Sequence, residues 1–385
     1  MKILHLCICG EYTDNWSYQE NLIPKYHKKM GYDVTIVASP LSFSGDGKKT
    51  ISLPNGTHYL LDGTKVIRIP FNKWLPYKIS KRFRIMENLY LLLLRERPDI
   101  IFVHGVQTRE IKNIKKYMVN FPNTKLFIDN HADFSNSART FTSKILLHGI
   151  VWKFYARSIE KYVDKFYGVL PARTDFLVNM YKLPPKKVEL LIMGGDDEYI
   201  DKYNKYDVSR EYLQESFSID KNDFIIATIG KIDIAKKEIF NLIESVKNIE
   251  NSRTKLLIFG SVIDELKSKF DLLIDNEKII YGGWLNNEQF YKIFNGVDLC
   301  VFPGRHSVYW EQCVSIGKPI IAKKWEGTEH VNTKNNVLFV ENSSVEELSE
   351  AIIEMRRNYS LFKTRAEKAQ KGFRYSEISK ISINI

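Results

Sequence analysis

The sequence predicts an α/β protein built from two parallel-sheet domains, and three observations carry that expectation. Short apolar runs of strand length alternate with segments of helical spacing over the first 200 residues. A polar stretch rich in Lys, Asp and Tyr, 198–222, then interrupts the pattern, which restarts after it and reads as a domain connection. At 385 residues the chain is long enough for two cores, and its 44% hydrophobic and 13% aromatic content is that of a globular protein. The expected domains are 1–200 and 201–367.

Taken in order, Lys2 to Cys9 is a buried strand ended by Gly10. Tyr18 to Met30 has helical spacing and stops at Gly31, and Asp33 to Ser39 is the next strand. This opening lacks the Gly-x-Gly-x-x-Gly signature of dinucleotide binders. Asn55-Gly56 between strand-like runs signals a hairpin, and Val66 to Pro70 is a further strand. Leu89 to Leu94 closes a helix; Pro98–Gly105, Lys125–His131, Asp164–Leu170 and Val188–Met193 are strands. In the second half Phe224–Gly230, Lys255–Gly260, Lys278–Gly283 and Val337–Val340 are strands, Ile239–Ile249 is a helix, and Ser344 opens another with capping-box spacing to Glu347.

The stretch Asp298 to Ala322 is the most informative. Leu299–Phe302 is strand-like and Pro303-Gly304 break it. Ser307 is placed to cap a helix from Val308 to about Ile316, Gly317 stops it, and Pro319–Ala322 is a second strand. A parallel sheet gathers such helix starts at the carboxyl ends of its strands, where unpaired N–H groups attract phosphate. Arg305 and His306 lie in that loop, and Glu311 and Gln312 follow one turn later, which suits a nucleotide-linked substrate. From spacing alone a strand–helix–strand unit without any ligand reads the same way.

The four cysteines, Cys7, Cys9, Cys300 and Cys313, have no metal-ligand spacing and read as free thiols of a reducing compartment. The opening Met-Lys-Ile-Leu-His lacks the pattern of a secretory leader, and no run approaches about 18 apolar residues, so a cytoplasmic protein is expected. The net charge of +11 is uneven. Residues 73–97 hold Lys73, Lys78, Lys81, Arg82, Arg84, Arg95 and Arg97 against Glu87 and Glu96, interleaved with Trp74, Tyr77 and Phe83. Residues 144–157 are similar. Both stretches can lie on an anionic membrane surface, and both also read as amphipathic helices with solvated basic faces. No nucleic-acid motif is present, and no nucleic-acid partner is expected.

Several motifs together resemble glycosyltransferase family 4, the retaining, nucleotide-sugar-dependent enzymes of the GT-B fold. They are Gly31-Tyr-Asp-Val-Thr-Ile-Val, Pro98-Asp-Ile-Ile-Phe-Val-His-Gly, Gly230-Lys-Ile-Asp-Ile-Ala-Lys-Lys, Phe302-Pro and Ser315-Ile-Gly-Lys-Pro-Ile-Ile. Each is weak alone; their order and intervals carry the resemblance. It implies two facing Rossmann-like domains with a cleft between them, and a closing segment, 368–385, that returns to the first. It also implies that Lys231 and Lys236, or Lys237 if the loop is one residue longer, bind the donor diphosphate. His131 falls where the family has a histidine near the reacting sugar and is the catalytic candidate. Gly10 would give the donor close backbone access, and Gly283 and Trp284 would lie near the base, although Trp284 fits core packing equally and His104 a buried structural role.

One departure stands out. The family's two glutamates, eight residues apart, fall here on Gly304 and Gln312. Glu311 could serve the ribose if the helix register shifts, or Gln312 could bond its hydroxyls, while Arg305 or His306 meets phosphate or sugar beside the helix start at Ser307 and Val308. The resemblance implies sugar transfer with retention from a nucleotide-diphosphate sugar, expected to be a UDP-sugar, and the basic aromatic stretches 73–97 and 144–157 in the acceptor half point to a glycan or polyprenol-linked acceptor in cell-surface polysaccharide synthesis. The work would be done at the inner face of the cell membrane, with no metal or other cofactor. A nucleotide-sugar epimerase of the same fold is an alternative. A catalytically silent sugar-nucleotide-binding partner subunit is another, motivated by the missing glutamates.

Overall fold

A computed structural model describes residues 1–44, 49–250 and 253–384. The chain divides into two compact units, Met1–Ile192 with Ile378–Ile385, and Met193–Glu377. The first is built on an eight-stranded sheet in the order Val188–Leu190, Lys165–Gly168, Lys125–Asn130, Ile100–His104, Lys2–Cys7, Asp33–Ala38, Lys65–Arg68, Gly56–Tyr59. All neighbours are parallel except the last pair. The second has a six-stranded, all-parallel sheet in the order Ile279–Gly283, Thr254–Phe259, Phe224–Ile229, Leu299–Phe302, Ile320–Lys323, Val337–Val340.

Helices cover the sheets, so the central strands are buried on both faces and read as unbroken apolar runs instead of alternating ones. Ile3, Leu4 and Leu6 in the first unit and Leu256, Leu257 and Ile258 in the second are fully buried. In each sheet the strand order reverses beside the unit's opening strand. Lys2–Cys7 lies between Ile100–His104 and Asp33–Ala38, and Phe224–Ile229 lies between Leu299–Phe302 and Thr254–Phe259. Loops leaving adjacent strands on opposite sides of such a switch point part and leave a crevice at the strands' carboxyl ends.

Three expectations need correction. Asn55-Gly56 is not the hairpin turn, because Gly56 already pairs with Arg68 in the ladder. The chain turns at Asp62-Gly63, where Asp62 accepts from the Thr64 N–H (2.8 Å) and hydroxyl (2.9 Å) and Gly63 takes a φ of +75°. Ser307 does not cap the following helix, which runs Tyr309–Ser315 with Val308 at its N-cap and no side-chain cap; the Ser307 carbonyl accepts from Trp310 N instead.

The third correction concerns 198–222, which is no connector. It forms helices Asp197–Lys202 and Tyr206–Phe217, both in the second unit. Its polarity misleads because one charge points inward. Arg210 is buried and donates to the carbonyls of Gly296 (3.1 Å) and Asp223 and to Asp298 Oδ2 (3.1 Å). Asp298 also accepts from Ile225 N (2.8 Å) and Tyr206 Oη (2.9 Å). Removing Asp298 strands a buried guanidinium, which costs about 3–5 kcal/mol. Asp298→Ala is therefore expected to move the urea midpoint of unfolding sharply down, and a shift equivalent to less than about 1 kcal/mol would refute the clamp.

Candidate active site

The second unit's crevice is lined by Gly230, Lys231 and Lys236 after strand Phe224–Ile229 and by Gly304, Arg305 and Ser307 after Leu299–Phe302. Asp233 caps the short helix Ile234–Lys236 by accepting from Ala235 N (2.9 Å), which fixes the direction in which Lys236 leaves. The lysine stem lies over Gly304, where an added Cβ would meet its Cβ and Cγ at 3.4 Å. Its Nζ would sit 3.3 Å from a Cβ at Gly230. The remaining space is only about 40 Å³. Burial pulls the Lys236 pKa below its usual 10.5 against the opposing pull of Asp233, and an arriving anion would raise it again.

Lys237 is exposed and does not line this pocket. Gly283, Trp284, His306, Val308, Glu311 and Gln312 also lie outside its lining. Trp284 is 58% exposed and is not part of a core. Glu311 is fully buried, and its Oε1 accepts from Nε2 of both His306 and His330 at 2.8 Å. Its Oε2 and the Oε1 of buried Gln312 have no donor. Among the described residues these two histidines and Glu311 are the group whose ligand atoms converge, within 4.8 Å of one another, closely enough to hold a divalent ion. His330 escaped sequence reasoning, since a histidine in a polar loop after Trp325 carries no local signal.

The first unit's crevice is larger, about 810 Å³, and Gly10 and His131 both line it. The structure thus places these two residues in one pocket and the lysines with Arg305 in another. His131 Nε2 stands 3.4 Å from Oδ1 of fully buried Asp129. Burial lowers the His131 pKa, but Asp129 outweighs it and the net shift is upward. Behind Asp129 runs a buried chain that spacing does not reveal. Strand pairing sets His104 beside Asp129. His104 Nδ1 meets Asp129 Oδ2 (2.8 Å), and His104 Nε2 meets His5 Nδ1 (3.1 Å). His5 Nε2 then meets His27 Nδ1 (3.1 Å), and His27 Nε2 meets the Ser379 carbonyl (2.9 Å).

The last link can run either way, because His27 Nε2 faces the Ser379 carbonyl, which only accepts, and also the Ser382 hydroxyl (3.0 Å), which can donate. Burial above all lowers the pKa of His5 and brings that of His27 to about 4, which keeps both rings uncharged at neutral pH. Burial would raise the Asp129 carboxyl, but His104 and His131 outweigh it and hold it well below the usual carboxylate range.

Residues 209–372 match the protein family described as Glycosyl transferases group 1. The chain carries a glycosyltransferase domain. Solved structures agree over nearly its whole length. Sucrose-phosphate synthase from Thermosynechococcus elongatus superposes with a TM-score of 0.68 at 13% identity, covering 99% of this chain and 96% of that one. A glycosyltransferase from Rickettsia africae gives 0.68 at 17% over 99% and 96%. HepE of Anabaena, solved in complex with UDP and glucose, gives 0.64 at 13% over 99% and 98%. At such identities the likeness speaks for the fold alone, which is GT-B. A comparison with curated protein sequences finds no match. The chain is a GT-B glycosyltransferase, and both halves of its fold carry a switch-point crevice.

The buried carboxylate of this glycosyltransferase gives a measurable acid signature. Burial would raise the Glu311 carboxyl above its ordinary 4.5, but His306 and His330 outweigh that and bring it to about 2. A carboxyl with a depressed folded-state pKa contributes stability that is complete above the unfolded value and is lost as pH falls through the folded one. Glu311→Gln is expected to lower the melting temperature at pH 7 and to flatten the decline of stability between pH 4.5 and about 2. Parallel acid-unfolding curves for variant and wild type would show that the carboxylate charge is not held in this way.

Proposed function

We propose that the chain is a retaining glycosyltransferase of family 4 that moves a sugar from UDP to a hydroxyl of a glycan or lipid-linked acceptor. The observation that carries this reading is the convergence of Lys231, Lys236 and Arg305 on one switch-point pocket inside the matched glycosyltransferase domain. Three cations there suit a leaving diphosphate whose charge grows as the glycosidic bond breaks. The acceptor oxygen bonds to the anomeric carbon while the bond from that carbon to the β-phosphate oxygen breaks. The electron pair leaves with UDP, and the acceptor proton passes to the departing phosphate on the same face of the sugar.

The lysines and arginine supply the countercharge that a divalent ion supplies elsewhere, so no metal or other cofactor takes part. The UDP named for HepE favours that base. His131, raised by Asp129, is the acceptor-side candidate for bonding a sugar hydroxyl.

Work in the cytoplasm at the inner membrane face, in cell-surface polysaccharide synthesis, is the setting we assign. Among the described residues no helix is long and apolar enough to cross a membrane. One helical face nevertheless exposes apolar side chains. Ser143–Trp152 is wound as a π-helix and continues as the α-helix Lys153–Ile159. Ile145, Leu146, Ile150 and Phe154 are exposed at intervals of four and five, with Phe141 just before them. The wider π turn stacks residues so spaced on one side, and Lys144, Lys153 and Arg157 are interspersed along the segment.

Thermal-shift measurements test the donor site. UDP should raise the melting temperature more than other nucleoside diphosphates, and Lys236→Ala should weaken its binding about 10- to 100-fold, as expected for a lost charge-assisted contact. Because only protonated Lys236 attracts the diphosphate, UDP affinity should fall as pH rises, beginning below 10.5. Retention of transfer activity in EDTA is expected, and its loss with rescue by a divalent ion would overturn the metal-free reading. Flotation with anionic vesicles should carry the wild type but not Ile150→Asp/Phe154→Asp; equal flotation of both would remove the membrane face.

A further inference from the structure

The first unit's pocket has a charge pattern of its own. Lys78 and Arg82 stand one turn apart on helix Tyr77–Phe83, Lys81 lies beside them, and Arg84 follows at its C-terminal end with φ +50°. All four line the 810 Å³ crevice. The side chains of Lys78, Lys81 and Arg82 have no hydrogen-bond or ion-pair partner among the described residues. Arg84 is pinned, its Nε donating to the Cys9 carbonyl and its Nη1 to that of Gln107, both at 2.6 Å. Carbonyls fix the guanidinium's position and leave its charge uncompensated. Glu11 and Glu20 are the only carboxylates in the lining.

Like charges at i and i+4 repel, so the helix bears a cost unless an anion joins them. The pocket also has apolar lining. Leu147, His148 and Trp152 come from the inward face of the π-helix whose outer face carries the exposed apolar residues. His148 reports the local field: burial first, then Arg84 and Arg82, push it down to about 4. A pocket lined by four cations together with an indole and a leucine suits an amphipathic anion. A single carboxylate would leave most of that charge unmatched, whereas a phosphate ester or diphosphate brings two or more negative charges and several acceptor oxygens.

We infer that this pocket binds the phosphate-bearing end of the acceptor. Its ester phosphate or diphosphate meets Lys78, Lys81, Arg82 and Arg84, and Leu147 and Trp152 take the face of the attached sugar or the first carbons of a lipid chain. The inference rests on the acceptor reading given above and narrows it to phosphorylated acceptors. The same chemistry is presented by a polyprenyl diphosphate and by a soluble sugar phosphate.

The test is calorimetric titration of the full chain, already saturated with UDP, with farnesyl diphosphate, farnesol and glucose 1-phosphate. Farnesyl diphosphate should bind at least tenfold more tightly than farnesol. Its affinity should drop at least tenfold in Lys81→Ala/Arg82→Ala. Both substituted residues of the double variant are exposed, and Lys78→Ala supplies a second variant should that protein fail to fold. Binding of glucose 1-phosphate alone, with the same loss in the variants, would keep the phosphate site and assign it to a soluble acceptor. Equal binding of farnesol and its diphosphate, no binding of either phosphate, or affinity indifferent to the variants would overturn the inference. UDP titration of the same samples separates the two readings: wild type that fails to bind UDP defeats the proposed donor site, whereas intact UDP binding without a phosphate effect defeats only this pocket.

Discussion

The feature on which the rest depends is the reversal of strand order beside the opening strand of each sheet. Parallel strands must be joined by crossovers, and where successive crossovers go to opposite sides the loops at the carboxyl ends part. Both crevices form there, and the residues with usable chemistry come from the two loops flanking each reversal. Cys9, Gly10, Gly105 and Gln107 supply one; Gly230, Lys236, Gly304 and Arg305 supply the other. The backbone decides where a ligand can lie before any side chain chooses what that ligand is.

Side chains then divide the labour by how their charges are compensated. Inside each unit a buried carboxylate is enclosed by imidazoles, Asp129 by His104 and His131, Glu311 by His306 and His330. Arg210 and Asp298 do the same in a purely structural role. An unpaired charge in such surroundings would cost several kcal/mol, so these sets are closed, and each keeps its loops in register. The crevice cations are the opposite case. Lys236 is partly desolvated without a direct ion-pair partner, and Lys78, Lys81 and Arg82 face their pocket with none. Charge that the protein itself leaves unmatched is charge available to a ligand.

Much of this was legible from residue order. Continuous apolar runs such as Phe224–Ile229 and Leu299–Phe302 announce strands buried on both faces, and the motifs spaced between them point to the fold. That a lysine of this loop lines the second unit's pocket was legible to within one residue, Lys236 or Lys237, because the glycine turn and the lysine-rich loop are local. What escaped was non-local. Helix Tyr206–Phe217 looks like a linker until Arg210 is seen to reach Asp298, 88 residues away. His5 and His27 look like separate core histidines until strand pairing and a helix crossover bring them into one chain. The cations at 78–84 read equally as a membrane face, and only the folded wall at Leu147 and Trp152 turns them into a pocket lining.

The histidine chain ends on residues at the far end of the molecule's sequence. His27 bonds the Ser379 carbonyl and the Ser382 hydroxyl (3.0 Å), and Tyr167 donates to the Ile381 carbonyl. Domains ordinarily fold in the order of their synthesis, the earlier one finishing first. Here the second unit is spelled out inside the first, as residues 193–377, before 378–385 are made. The contacts that close the first unit at His27 therefore form only after every residue of the second has been made. The half that begins first is the half that finishes last.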